Sequence, residues 1–350
     1  EGQLIVLLTL APAKNLATPA DDTVLLRMSA ANAATVLLRE GKELAGLPGS
    51  RIAAMSVLAP ALGSPGHGRW HSADSLVAKV SLRDGGTRLV HIAADATVTA
   101  LLSSADAATL IHPQARWKRF GLPAVDNTSA AFVTEATLQN GPGQVTAADD
   151  SALLFLGQSA TWTLLARENS PAPMEPALQE ALYASFFDPV VNDSDQVAFL
   201  TTLQGKNITP ANRTALFSGT PGALRLRARL GDPLPDESGA PSALLDRFIS
   251  YALPNGPGAG VIFLAETSAG DTTAKNKLGL WAVDSRGTLR RLLRTDDRLT
   301  QGGSPIRDLR LLNAAPGSFG ATRSYNSNGS VALLATFADN TQALLRVEVP

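Results

Sequence analysis

The sequence predicts an all-β protein, a β-propeller of about six four-stranded repeats of ~64 residues, with the first and last repeats incomplete. Three observations carry this expectation. A motif of Thr-x-x-Asp/Asn followed by two large apolar residues keeps returning: TPADDTVLL from Thr18, TAADDSALL from Thr146, TPANRTALF from Thr209 and TAKNKLGLW from Thr273. Aligning the apolar pair gives Leu25, Leu89, Leu153, Leu216, Leu280 and Leu344, at intervals of 64, 64, 63, 64 and 64. Around each leucine lie short runs rich in Val, Leu, Thr and aromatics, bounded by Gly, Pro, Asn or Asp. Their length and boundaries favour strands over helices.

Each repeat supplies four such runs, named B, C, D and A in chain order. Strand B precedes the motif: QLIVLLTL from Gln3, SLVAKVSL from Ser75, AAFVTEATL from Ala130, QVAFLTTL from Gln196, GVIFLAET from Gly260 and SVALLATF from Ser330. Strand C begins at the motif. Strand D follows, as TVLLREG from Thr35, VTALLSS from Val98, WTLLAREN from Trp162, LRLRARLGD from Leu224 and LRRLLRT from Leu289. Strand A is expected to end at a proline: Pro60, Pro123, Pro189, Pro254 or Pro316.

A closed ring of six such blades needs 24 strands, and the chain supplies 22, lacking strand A of unit one and strand D of unit six. The units run approximately over residues 1–50, 51–112, 113–175, 176–240, 241–303 and 304–350 of one domain. A two-layer β array is the competing architecture. Two D-to-A connections, EPALQEALYASF (Glu175 to Phe186) and PSALLDRFISYAL (Pro241 to Leu253), are expected to hold a turn or two of helix.

Composition narrows the function. With 30 basic and 31 acidic residues in 350 and no block of like charge, nucleic acid and anionic membranes are not expected partners. No cysteine is present, which excludes disulfides, thiolate metal sites and a cysteine nucleophile. The apolar stretch Leu4 to Leu10 is too short to span a bilayer and lacks the basic lead of a signal peptide. A start at Glu rather than Met reads as a mature or trimmed segment.

Unit four carries a resemblance. DPVVNDSDQVAFLTTLQG (Asp188 to Gly205), then TPANRTALFSG, then RARLGDPLP (Arg227 to Pro235), resembles the repeat of uncharacterised bacterial choice-of-anchor tandem-repeat proteins. Units three and five hold weaker copies, in AFVTEATL with LLARENSPAP and in VIFLAETS with LGLWAVD. The resemblance implies an exported or surface-attached bacterial protein with a propeller-like fold. It implies no activity.

The recurring Thr-x-x-Asp/Asn lies between strands B and C. Asp and Asn accept hydrogen bonds from nearby amides and nucleate turns, and that is its expected role. A calcium loop is the rival reading, because Asp21–Asp22 and Asp149–Asp150 pair hard oxygen ligands. Arg213, Lys275 and Lys277 in the equivalent loops oppose it.

His67 and His71 have the i,i+4 spacing of helical metal ligands but sit in a Gly/Pro loop, and His91 and His112 lie apart. No unit carries the Ser-x-Asp-x-Gly-x-Thr-Trp box of sialidase-like propellers, a Walker lysine or a Gly-x-Ser-x-Gly elbow. The carboxylates Glu135, Asp188, Asp193, Asp232, Glu266 and Asp284 stand at strand ends, and glycosidase chemistry would need two facing one cavity. No catalytic residue, cofactor or metal is assigned.

The candidate ligand-binding residues lie in the two longest A-to-B connections. They are His67, Arg69, Trp70 and His71 in GSPGHGRWHSAD, and Phe319, Arg323, Tyr325 and Asn326 in GSFGATRSYNSNG. Equivalent loops of a repeat protein project from one face, and insertions there often mark the binding face. The expected function is that of an extracytoplasmic, non-enzymatic binding or structural propeller, extracellular or at the cell surface. Its partner is a polysaccharide, a cell-envelope component or a protein. The alternative is a glycoside hydrolase or lyase on the same scaffold.

Overall fold

The computed structural model describes residues 4–12, 17–29, 33–45, 49–57, 75–126, 131–157, 161–174, 180–254, 260–311 and 330–349. Among these, six antiparallel sheets follow one another along the chain as propeller blades. Blade one holds β1 (Leu4–Thr9), β2 (Thr23–Met28) and β3 (Ala34–Arg39). Blade two holds β4 (Ile52–Ser56), β5 (Leu76–Leu82), β6 (Thr87–Ile92) and β7 (Val98–Ser103). Blade three runs β8 (Trp117–Phe120), β9 (Ala124–Val125), β10 (Phe132–Leu138), β11 (Ser151–Leu156) and β12 (Trp162–Arg167). Blade four runs β13 (Leu182–Val191), β14 (Val197–Gln204), β15 (Thr214–Gly219) and β16 (Arg225–Arg229).

Blade five contains β17 (Pro233–Pro235), β18 (Pro241–Ala252), β19 (Ile262–Ser268), β20 (Leu278–Val283) and β21 (Leu289–Arg294). Blade six contains β22 (Ile306–Leu311), β23 (Ser330–Phe337) and β24 (Gln342–Glu348). Blade one thus begins at a B strand and blade six ends at a C strand.

The register leucines set the packing. Each C-strand leucine lies opposite a B-strand residue, as Leu25 does Leu7 and Leu216 does Leu200, and the first five point at the blade that follows. Leu25, Leu89, Leu153, Leu216 and Leu280 are each at most 1% exposed, and each sits in a core cluster shared with the next blade. Leu344 departs from the expectation. It is 66% exposed, because among the described residues no core cluster joins blade six to blade one.

The face toward the preceding blade carries stacked aromatic pairs at equivalent positions. Phe199 lies on Phe217 with centroids 5.8 Å apart, and Phe263 on Trp281 at 6.1 Å.

Consecutive blades are tied by one joint made five times. The N–H groups of Gly41, Ala105, Asn169, Gly231 and Asp296, just past strand D, donate at 2.6–2.8 Å to the carbonyls of Ile52, Trp117, Tyr183, Leu245 and Ile306. These same strand-A residues donate back to the carbonyls of Lys42, Asp106, Ser170, Asp232 and Asp297. All five joint residues have left-handed backbone, with φ between 62° and 79°. At the first joint the residue has to be glycine, since a Cβ there would lie 2.7 Å from that of Asp21.

Three expectations are corrected. The segment Pro241 to Leu253 is not helical: Pro241–Ala252 forms β18, and the described part of Glu175 to Phe186 enters β13 at Leu182. Buried Ala243 and Leu245 alternate with exposed Leu244 and Asp246, and a helix here would leave β19 without its partner. The A-strand proline does not end the strand in blades three and four. Pro123 lies in the break between β8 and β9, and Pro189 lies inside β13 where the register shifts, which a residue without an N–H tolerates. Finally, β17 pairs with β18, so Pro233–Pro235 belongs to blade five rather than to unit four.

Candidate functional site

The eight loop residues read from the sequence, His67, Arg69, Trp70, His71, Phe319, Arg323, Tyr325 and Asn326, lie outside the described residues. Their loops leave β4 and β22, the first strands of blades two and six. The other two histidines are placed. The His91 ring lies 6.5 Å from that of Phe132, and His112 Nδ1 accepts from the Gln114 N–H at 3.2 Å.

The recurring motif is a self-closed turn. The Thr146 N–H and hydroxyl both donate to one Asp149 carboxylate oxygen, at 2.7 and 2.8 Å. Thr18 does the same to Asp21, Thr209 to Asn212 and Thr273 to Asn276. In two repeats the other carboxylate oxygen is taken by an arginine from the end of strand D. Arg39 reaches Asp21 at 3.1 Å and Arg167 reaches Asp149 at 2.6 Å. The hydrogen bonds from Thr18, with Arg39 beside them, hold the Asp21 carboxyl below the ordinary range. In these two turns a guanidinium thus engages the carboxylate that the calcium reading gave to a metal. Among the described residues no group of three His, Asp or Glu side chains is arranged to hold a metal.

The six carboxylates expected at strand ends are dispersed and most are engaged, and Glu135, Asp188 and Glu266 lie within β10, β13 and β19 rather than at their ends. Asp232 pairs with Arg229 at 2.8 Å. Burial pushes Glu266 up, but hydrogen bonds from Lys277 and Arg247 outweigh it and hold the group below the usual glutamate range. Asp284 closes a turn on the Arg286 and Thr288 amides and meets Arg290. Asp193 is partly buried in the turn after β13.

Asp188 has a φ of 47° in the β13 bulge, and its carbonyl accepts from the Tyr251 hydroxyl. Glu135 accepts from the Ser151 hydroxyl at 3.1 Å. Burial pushes its carboxyl up, against the opposing pull of Ser151, Arg119 and Lys79.

Sequence reasoning missed the chemistry of the first strands. Beyond the joint residues Trp117, Leu245 and Ile306, the strands β8, β18 and β22 each have one hydrogen-bonded neighbour among the described residues, which leaves that stretch of edge free. In a propeller the blades stand around a central channel. On and beside these strands are exposed Lys118, Arg119, Asp246, Arg247, Arg307 and Arg310, with Asp188 on β13. Exposed Leu122, Phe187 and Ile249 stand among them. The signal was legible in WKRF, DRFIS and IRDLR, where cations interrupt otherwise apolar strands. Which edge stays unpaired was not.

A family model matches residues 83–348, under the description "Family of unknown function (DUF7453)". The chain belongs to this DUF7453 family. No curated protein matches it. Among solved structures, DUF7453 here is similar to an oligogalacturonate lyase in complex with manganese, at 11% identity and a TM-score of 0.38, covering 94% of this chain and 83% of that one. It is similar to the Penicillium chrysogenum α-L-arabinanase complexed with arabinobiose, at 12% identity and 0.35, covering 99% and 90%. It is also similar to the Aleuria aurantia lectin in complex with α-methyl-L-fucoside, at 10% and 0.31, covering 99% and 90%. At such identities and scores, no residue of this chain takes a role from these neighbours.

Proposed function

We propose that this DUF7453 protein is an extracytoplasmic, non-enzymatic binding propeller whose ligand is an acidic polysaccharide laid along the free edges of its first strands. One observation carries the reading. The exposed charges there are five cations, Lys118, Arg119, Arg247, Arg307 and Arg310, against Asp188 and Asp246, with Arg247 paired to Glu266 and Arg310 to the partly buried Asp308. Guanidinium groups match carboxylate and sulfate geometry. Leu122, Phe187 and Ile249 supply apolar surface for the faces of sugar rings. Trp70 and Tyr325, in the two long A-to-B connections, enter the proposal from the sequence alone. Attachment to a bacterial surface belongs to this proposal and rests on the repeat resemblance in units three to five.

A glycoside hydrolase would need two carboxyl groups at one cavity. The carboxylates Asp232, Glu266 and Asp284 hold arginines or close turns instead.

Titration calorimetry against polygalacturonate, a sulfated glucan, neutral dextran and poly-glutamate tests the proposal. The acidic glycans should bind, more weakly at high salt. The Lys118→Ala/Arg307→Ala/Arg310→Ala variant should lose roughly tenfold in affinity. Equal binding of dextran, preference for poly-glutamate, or an unaffected triple variant would overturn it.

A further inference from the structure

The chain holds two Asp-Pro bonds, Asp188–Pro189 and Asp232–Pro233, and the fold treats them oppositely. In such a pair the carboxylate can reach its own main-chain carbonyl carbon through a five-membered ring, and the proline nitrogen leaves readily once protonated. At Asp232 the route is closed, because Arg229 holds the carboxylate at 2.8 Å. The Asp232 carbonyl accepts from the Leu245 N–H at 3.0 Å, so this bond has a donor but no free nucleophile.

At Asp188 both are in place. The residue is exposed, and among the described residues no ion pair or hydrogen bond holds its carboxylate. Its φ of 47° is left-handed, where a residue before proline prefers extended backbone. Neither Asp188 nor Pro189 has a partner on β14, since the register passes from Phe187 opposite Leu200 to Val190 opposite Ala198. From β18 of the next blade, the Tyr251 hydroxyl donates to the Asp188 carbonyl oxygen. Burial first, then the Asp188 charge, push this phenol well above its ordinary range against the pull of a Leu200 N–H. Tyr251 therefore stays protonated and keeps its donor on that oxygen.

We infer that Asp188–Pro189 is a self-cleaving bond, with the Asp188 carboxylate as nucleophile and the Tyr251 hydroxyl as oxyanion donor. A carboxylate oxygen bonds to the carbonyl carbon, and Tyr251 meets the charge that develops on the carbonyl oxygen. The C–N bond then breaks, its electron pair goes to the Pro189 nitrogen, and that nitrogen takes a proton from solvent. Water opens the cyclic anhydride left on Asp188. The products are a new carboxyl terminus at Asp188 and a secondary amine at Pro189, with one water consumed and no change of oxidation state. Phe187 and Val190 on either side of the cut remain paired with β14, so the nicked ring holds together. The step involves no glycan and stands apart from the binding reading.

The full chain is incubated in mild acid, where circular dichroism shows it folded, and in the same buffer with urea. Mass spectrometry follows the new amino termini at Pro189 and Pro233. In the folded protein Pro189 should appear at least roughly tenfold faster than Pro233, a margin below what one preorganised oxyanion donor contributes in enzymes. In urea the two should appear at comparable rates. Tyr251→Phe, checked for folding at the assay temperature, should slow Pro189 by roughly tenfold and leave Pro233 unchanged. Asp188→Asn keeps a residue that tolerates left-handed backbone and should release Pro233 alone. On a sizing column the cleaved wild type should elute as one species that separates into two only in denaturant. No excess of Pro189 over Pro233 in the folded protein, an excess that persists in urea, or an unslowed Tyr251→Phe would overturn the inference.

Discussion

Arg167 grips Asp149 twice, donating to its carboxylate at 2.6 Å and to its carbonyl at 2.9 Å. The carboxylate meanwhile closes its own turn on Thr146. Asp149 therefore fixes both the B-to-C turn and its position against the end of strand D. Asp149→Ala should cost about 1–2 kcal/mol, the scale of a lost cap plus a half-buried ion pair. Asp149→Asn should cost less, since Asn212 and Asn276 close the same turn elsewhere. Urea unfolding of the two variants separates turn from ion pair.

The two buried tyrosines should respond oppositely to loss of the hydroxyl. Tyr251 donates to Asp188 across the blade four–five boundary, whereas the buried Tyr183 hydroxyl has no partner among the described residues. Tyr251→Phe should destabilise by about 1 kcal/mol, and Tyr183→Phe should be neutral or stabilising. Thermal melts check both, and a destabilised Tyr183→Phe would mean that a bound water serves that hydroxyl.

Leu216 is fully buried between blades four and five, so truncation leaves a cavity. Leu216→Ala should lose about 2–5 kcal/mol. Exposed Leu299, replaced in the same way, should stay within about 0.5 kcal/mol. Comparable losses at both positions, in denaturant titrations, would contradict the packing.

Burial raises the Glu135 carboxyl, so the folded protein holds this proton more tightly than the unfolded chain. Stability from this group is therefore greatest below the ordinary glutamate range and falls as pH rises through the raised value. Glu135→Gln keeps an acceptor for Ser151 and removes the titration. Melting temperatures of variant and wild type should converge toward pH 4 and separate toward neutrality, with the variant the more stable.

What was legible in the chain is what side chains repeat. The leucine register and the Thr-x-x-Asp/Asn turn recur as residue types because each blade needs that apolar contact and that closure. The joints after strand D went unseen because backbone makes them: Gly41, Ala105, Asn169, Gly231 and Asp296 share a conformation and no side-chain chemistry. Leu, Ala and Phe in Pro241 to Leu253 suit either helix or strand, and only β19 alongside decides. The cations of the first strands were visible, but their exposure follows from a free edge, a property of the assembled sheet.

The sameness of those five joints has a bearing on how such a chain changes length. A cut at one joint and a cut at the next release a segment whose two ends present identical hydrogen-bonding partners, so a whole blade can be duplicated or deleted without leaving an amide unmatched. Shorter insertions break the pairing on one side or the other. Inheritance at this architecture is therefore quantised, and relatives should differ by entire blades, with the remaining variation confined to the loops between strands.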